Sequence, residues 1–118
     1  MTISIVVPVH NEAENIQPLL DEIVVALVNF HAYEIIYIND GSSDATAQAL
    51  ATAQKKLSQL RVFEHQRSCG QSAAVYTGIK AAKYPFIATL DGDGQNNPAD
   101  IPALFEHLKE QREVNPKL

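Results

Sequence analysis

Short apolar runs alternate along this chain with longer stretches of helical periodicity. Ile3 to Val7 is an apolar run with β-branched residues, closed by Pro8. Such a run reads as a strand buried on both faces, the habit of parallel sheets. Ile16, Leu19, Leu20, Ile23, Val24, Leu27 and Val28 then recur at helical spacing as one broad stripe. Pro18 is harmless only within a first turn, so the helix is expected to begin near Asn15, a good cap, with residues 8–14 as the connecting loop.

The unit repeats. Tyr33 to Ile38 predicts a second strand, Asn39 to Asp44 a turn and cap cluster, and about Asp44 to Leu57 an Ala-rich helix. Leu60 to His65 predicts a third strand, Arg67 to Gln71 a loop, and about Ser72 to Ala82 a helix. Ala74, Gly78 and Ala82 fall four residues apart, a small-residue face that lets this helix approach the sheet closely. Pro85 to Leu90 is the fourth strand, followed by the loop DGDGQN. Asn97 as cap, Pro98 at the first helical position and Asp100 open a last helix, whose expected stripe is Ile101, Leu104, Phe105 and Leu108. Glu113 to Leu118 reads as a frayed tail.

Strands alternating with helices specify the α/β class: a mostly parallel sheet of about four strands with flanking helices and right-handed crossovers. Residues 1–118 form one domain on this reading. In such sheets ligands bind beyond the carboxyl ends of the strands. The polar clusters fall there. His10-Asn11-Glu12 follows strand one, Asp40-Gly41-Ser42 strand two and Asp91-Gly92-Asp93 strand four, so the three are expected to converge on one edge.

Composition narrows the partners. With 46% hydrophobic and 19% charged residues the chain is an ordinary globular one rather than a disordered one. A net charge of -5 argues against nucleic acid as partner, and means that a phosphate ligand must be met by backbone N–H groups, a metal or a few placed cations. Cys69 is the single cysteine, which excludes an intrachain disulfide and fits a reducing, cytoplasmic compartment. The opening residues read neither as a signal peptide nor as a membrane span, and no run of about 20 apolar residues occurs.

Asp91 and Asp93 set two carboxylates two residues apart at a strand end, and Gly92 and Gly94 let the backbone bend so that both address one centre. Two confined carboxylates repel unless a cation or shared proton intervenes; hard oxygen ligands favour Mg²⁺ or Mn²⁺, and Gln95 could add a carbonyl oxygen. A solvated Asp-Gly turn is the competing explanation. Asp40 is a candidate for a base N–H or a ribose hydroxyl, with Ser43 and Asp44 as caps of the following helix. Glu12 is the acidic candidate of the first loop, against a helix-dipole role better suited to Glu14. His10 in that loop could be a metal ligand or a base, and Pro8 can present backbone groups to a flat base. Arg67 and Gly70 precede the third long helix; a diphosphate contact and an ordinary basic loop compete there.

VVPVHNEAENI, YINDGSSDAT, the small-residue helix after Gly70 and ATLDGDGQNNPADIP together resemble the ordered signatures of family-2 inverting glycosyltransferases. The resemblance is nearest to the dolichol-phosphate mannosyltransferase-like branch, which includes undecaprenyl-phosphate sugar transferases, and covers roughly residues 3–110. It implies a Rossmann-like GT-A fold. It also implies that Pro8, His10 and Glu12 line a nucleotide pocket, that Ile38 and Asp40 hold the base, that Asp91 and Gly92 lie near ribose and diphosphate, and that Asp93 and Gln95 bind Mg²⁺ or Mn²⁺. Two positions depart from the pattern: His10 is commonly Tyr in that branch, and Asn39 is often Asp.

The implied reaction moves a sugar, with inversion, from a UDP- or GDP-sugar to an acceptor, a polyprenyl phosphate in this branch. The implied place is the cytoplasm, at the inner membrane face for a full-length protein. Acceptor-side residues and any catalytic base are expected beyond residue 118, so the chain is read as part of a longer product. Two alternatives accompany this reading: a nucleotide-sugar-binding fragment without turnover, and a nucleotidyltransferase, for which the loop after strand one lacks the Gly-rich basic sequence. An uncovered sheet edge would favour pairing, including a homo-oligomer.

Overall fold

The computed structural model describes residues 1–92 and 97–114, with side chains described through residue 109. The strands are β1 (Thr2–Val9), β2 (Ala32–Asp40), β3 (Leu60–His65) and β4 (Ile87–Thr89); the helices are α1 (Ile16–Ala26), α2 (Thr46–Lys56), α3 (Gln71–Ala81) and α4 (Ile101–Val114). All pairings are parallel and the spatial order is β3-β2-β1-β4. Short 3₁₀ turns at Ala13–Asn15 and Pro98–Asp100 lead into α1 and α4.

Strand alternation sorts the core into two faces. Ile3, Ile5, Val7, Ile35, Tyr37 and Leu60 pack with α1, α2 and the start of α4. Val6, Ile36 and Ile38 pack with Ala74 of α3 on the other face. Gly78 is what lets α3 sit so close: a Cβ there would lie 2.4 Å from Val6 Cγ1 and 2.8 Å from Ile38 Cδ1.

Pro8 does not close β1, which runs on to Val9. Ser4 N–H donates to Phe86 C=O and Val6 C=O accepts from Leu90 N–H, so the even residues of β1 turn their main-chain groups toward β4. Pairing with β4 ends at Val6↔Thr89. Pro8, the next even residue, therefore needs no ladder N–H on that side.

Other elements differ from expectation at their ends. Regular α1 starts at Ile16 after the 3₁₀ turn, and the Asn15 side chain does not cap it but donates to Glu12 Oε2 at 2.6 Å. Val28 lies past the helix and is 74% exposed. β4 is shorter than Pro85 to Leu90. In α4, Ile101 and Phe105 are buried while Leu104 and Leu108 are exposed, so the core takes only half of the expected stripe. Phe105 packs edge-on to Phe30 at 5.0 Å and against Phe86 at 4.8 Å. The helix continues through Val114, and residues 115–118 of the expected tail lie outside the described residues. Asn97 does cap: its Oδ1 accepts from Ala99 N–H, with Pro98 beside it.

At the amino edge, buried Glu34 accepts from Ser4 Oγ at 2.7 Å, from Arg61 Nη1 at 2.7 Å and from Lys83 N–H. Burial pushes this carboxyl up, but the Lys83, Ser4 and Arg61 donors outweigh it and hold it below the usual range. Arg61 also donates to Ala81 C=O, which ties the end of α3 to the sheet.

Two substitutions test this packing. Tyr37 is fully buried, and its hydroxyl has no hydrogen-bond partner among the described residues. Tyr37→Phe should therefore raise the unfolding free energy, by about 1 kcal/mol, because it removes an unsatisfied polar group; a loss of stability in urea titration would contradict this. Gly78→Ala should cost about 1 to 3 kcal/mol by overpacking, despite the better helix propensity of alanine. An unchanged urea midpoint would show that α3 can retreat from the sheet freely.

Candidate functional site

The polar loops at the carboxyl edge are tied to one another by side chains. Asn11 takes a left-handed φ of 55°, a conformation Asn tolerates. Its N–H donates to Ser42 Oγ, and its Oδ1 accepts from the N–H groups of Ser43 and Asp44. Ser43 is thus spent on the first loop rather than on capping α2. Asp44 does cap, accepting from Thr46 N–H at 2.9 Å and from the Thr46 hydroxyl. Glu12 N–H in turn donates to Thr46 Oγ1. His10 Nδ1 lies 2.7 Å from Asp40 C=O, and since a carbonyl only accepts, Nδ1 carries the proton; Asn11 Nδ2 donates to Nε2.

Asp40 joins the second loop to the third. The residue is only 4% exposed, and its carboxylate accepts four hydrogen bonds. His65 Nδ1 (2.8 Å) and Cys69 N–H (2.9 Å) reach Oδ1; Ser68 Oγ (3.0 Å) and Gly70 N–H (2.9 Å) reach Oδ2. Burial alone would raise its pKa, but the Cys69 N–H, His65, Gly70 N–H and Ser68 donors dominate and hold it at about 2. His65 Nε2 lies 3.0 Å from Thr77 Oγ1, which carries the network onto α3. The loops come close enough that a Cβ on Gly41 (φ 65°) would lie 2.2 Å from Ser68 N.

The first and fourth strand ends approach equally closely. A Cβ on Gly92 would meet Val9 Cγ1 at 2.3 Å and Pro8 C=O at 2.9 Å, so only glycine permits this approach. Gln71, the first residue of α3, donates from Nε2 to Asp91 Oδ1 at 2.7 Å.

These contacts enclose an open cleft of about 220 Å³ lined by Pro8, Val9, His10, Glu12, Asp40, Gln71, Asp91 and Gly92. Six of the sequence candidates are brought together: Pro8, His10, Glu12, Asp40, Asp91 and Gly92. Ile38, expected at the base, is not; it is fully buried under α3, on the same face of β2 as Asp40 but two residues deeper into the sheet. Close packing of α3 explains this, since a Cβ on Gly78 would lie 2.8 Å from Ile38 Cδ1. Asp93 and Gln95, the expected metal ligands, lie outside the described residues. Arg67 lines a separate hollow with Glu64 and Cys69, and Gly70 N–H is used by Asp40. Gln71 was missed because Gly70-Gln71-Ser72 carries no phosphate-loop spacing; its position at a helix start on the carboxyl edge was the available signal.

Metal fit is a question of donor chemistry. Asp91 contributes hard carboxylate oxygen to the cleft, immediately before the loop that holds Asp93, which suits a hard divalent cation. Asp40, His65 and Cys69 also cluster, with donor atoms within 4.8 Å of one another. The Asp40 oxygens there already accept four hydrogen bonds, so this cluster reads as a hydrogen-bond network, not a metal centre.

Residues 4–116 match the family model described as Glycosyl transferase family 2. A dodecaprenyl-phosphate galacturonate synthase of Rhizobium johnstonii is 42% identical over 98% of this chain and 34% of its own length. An undecaprenyl-phosphate 4-deoxy-4-formamido-L-arabinose transferase of Edwardsiella ictaluri is 37% identical over 88% of this chain and 33% of its own. The chain thus spans about a third of the length of these relatives. The S. aureus TarS 1–349 structure in complex with UDP-GlcNAc superposes with a TM-score of 0.75 at 25% identity, over 93% of this chain and 32% of that 1–349 chain. The Pyrobaculum calidifontis mannosyltransferase PcManGT, in complex with GDP-Man and Mn2+, superposes with a TM-score of 0.76 at 23% identity, over 86% of this chain and 30% of its own. The four-stranded parallel sheet is that of the GT-A fold.

Asp40 gives the site a measurable acid response. Its folded-state value of about 2 lies below the ordinary 3.8, so the stabilisation is fully present above the ordinary value and is lost as pH falls through about 2. The unfolding free energy should drop by about 2 kcal/mol over that window from this group alone. Asp40→Asn should lower stability at neutral pH by roughly 2 to 3 kcal/mol, since an amide NH₂ faces N–H donors, and should remove this part of the acid response. A variant with wild-type stability and the same acid profile would show that Asp40 does not hold the loops.

Proposed function

The chain belongs to glycosyl transferase family 2, and from that premise we propose that its cleft binds the nucleoside diphosphate of a UDP- or GDP-sugar. On this reading it is the donor half of an enzyme that passes the sugar, with inversion, to a polyprenyl phosphate at the membrane. The observation that carries the reading is the convergence of Pro8, His10, Glu12, Asp40, Asp91 and Gly92 on one cleft at the carboxyl edge of a parallel sheet. The acceptor class is supported by the relatives, a dodecaprenyl-phosphate and an undecaprenyl-phosphate enzyme. Among the described residues no helix is long and apolar enough to cross a membrane.

The residues divide the work. Pro8, His10 and Glu12 form the wall on which the base lies. His10 is held by the Asp40 carbonyl rather than free to swing. The Asp40 carboxylate is committed to the third loop, so its contribution to the base is to fix the surface the base meets. Asp91 and Gly92 face ribose and diphosphate, and Gly92 keeps that loop against β1. Asp93 and Gln95 would hold Mg²⁺ or Mn²⁺. A divalent cation there offsets charge on the leaving diphosphate as a Lewis acid. The acceptor phosphate is already anionic and attacks in line with little need of a general base.

Thermal-shift titration of the chain with UDP, GDP and their sugars, with and without Mn²⁺, tests this reading. The correct nucleotide at a hundredfold excess over its Kd should stabilise the fold by about 2.7 kcal/mol, a shift of several degrees. Asp93→Ala should abolish the Mn²⁺-dependent part. Absence of any shift, or an equal shift without metal in both proteins, would refute the proposal.

A further inference from the structure

We propose that Gln71 is a positioning residue of the donor cleft, one that acts by holding the Asp91 carboxylate. The proposal rests on the reading of the cleft as a nucleoside-diphosphate site. Gln71 and Asp91 stand 20 positions apart, on α3 and after β4, and line the same cleft. The 2.7 Å contact joins its two sides through a charge-assisted hydrogen bond, the stronger kind.

An exposed hydrogen bond is often incidental, because ordering two side chains offsets its gain. This one starts from a fixed origin. Gly70, the residue before Gln71, takes a φ of 96° and donates its N–H to the buried Asp40 carboxylate, as does Cys69. Asp40 is 4% exposed, so the first residue of α3 is anchored from the interior before its side chain reaches out. The far partner is fixed as well, since Gly92 packs against Val9 and the Pro8 carbonyl. The amide therefore spans two supports that are each held against the sheet, and it sets the direction of the carboxylate expected to meet ribose and diphosphate. A neutral donor suits that place: it orients an anion beside an anionic ligand without adding charge.

A double-mutant cycle separates this role from a merely local one. Gln71→Met keeps the side-chain length and removes the donor. The nucleotide that wild type binds, UDP or GDP with Mn²⁺, should bind this variant about tenfold more weakly by isothermal titration, with the melting midpoint of the free protein unmoved. Gln71→Glu, which sets a second carboxylate against Asp91, should be weaker still. In an Asp91→Ala background, Gln71→Met should cost less than about twofold, because the group it acts through is gone. An equal loss in both backgrounds, or no loss in the wild-type background, overturns the proposal. The donor reading has its own arm. Wild type that binds neither nucleotide refutes that reading, and with it a role for Gln71 in donor binding. The contact itself is then judged by the Gln71 side-chain amide resonances, which should move on Asp91→Ala; unmoved resonances overturn the clamp.

Discussion

The buried carboxylate of Asp40 is the constraint on which the carboxyl edge of this molecule depends. Burial opposes its charge, and an unpaired ion at 4% exposure would protonate or force the loops apart. Four donors from the third strand and its loop remove that cost. Since two of the four are backbone N–H groups, satisfying the charge also fixes the path of the chain into α3. The Asp40 carbonyl meanwhile holds His10, so one residue determines where two loops stand. Gln71 then passes that order to Asp91. The belt from His10 to Asp91 crosses all four strand ends, and the cleft is the space it leaves.

Close approach supplies the rest. Gly41, Gly78 and Gly92 each stand where a Cβ would come within 2.5 Å of a neighbouring atom. Gly78 brings α3 onto the sheet, Gly41 brings the second loop onto the third, and Gly92 brings the fourth loop onto β1. A side chain at Gly41 or Gly92 would separate walls that the hydrogen bonds are there to join.

The sequence made the order of elements legible because buried parallel strands and amphipathic helices have different periods. It made the location of the site legible because the polar clusters follow strands. What it hid depended on partners from elsewhere in the fold. The family resemblance puts Ile38 with Asp40 at the base; the two share a face of β2, but Ile38 lies two residues deeper in the sheet and α3 covers it. Pro8 looks like a strand end in the sequence, although only the length of β4 decides whether its missing N–H matters. The half-buried stripe of α4 and the 3₁₀ entry to α1 depend on partners across the fold. Gln71 left no trace in motif spacing, because its significance lies in a contact 20 residues away.

β2 carries two buried acids on its α3 face, and their contrast shows how such a face can serve both stability and recognition. Glu34 and Asp40 sit six residues apart, each paired with a basic side chain of β3, Arg61 on the diagonal and His65 directly opposite. Both are held ionised by backbone and hydroxyl donors against the effect of burial. At the amino edge the donors come from Ser4, Arg61 and the N–H of Lys83 just past α3, while Arg61 also donates to Ala81 C=O, and the network closes the joint between helix and sheet. At the carboxyl edge the donors belong to a loop whose next residue faces the cleft. The same physical device, a buried carboxylate satisfied by the chain it must hold, therefore fastens α3 at both ends. Only the carboxyl-edge copy touches the ligand space, so a change in Glu34 should loosen α3 without altering the cleft directly, whereas a change in Asp40 alters both.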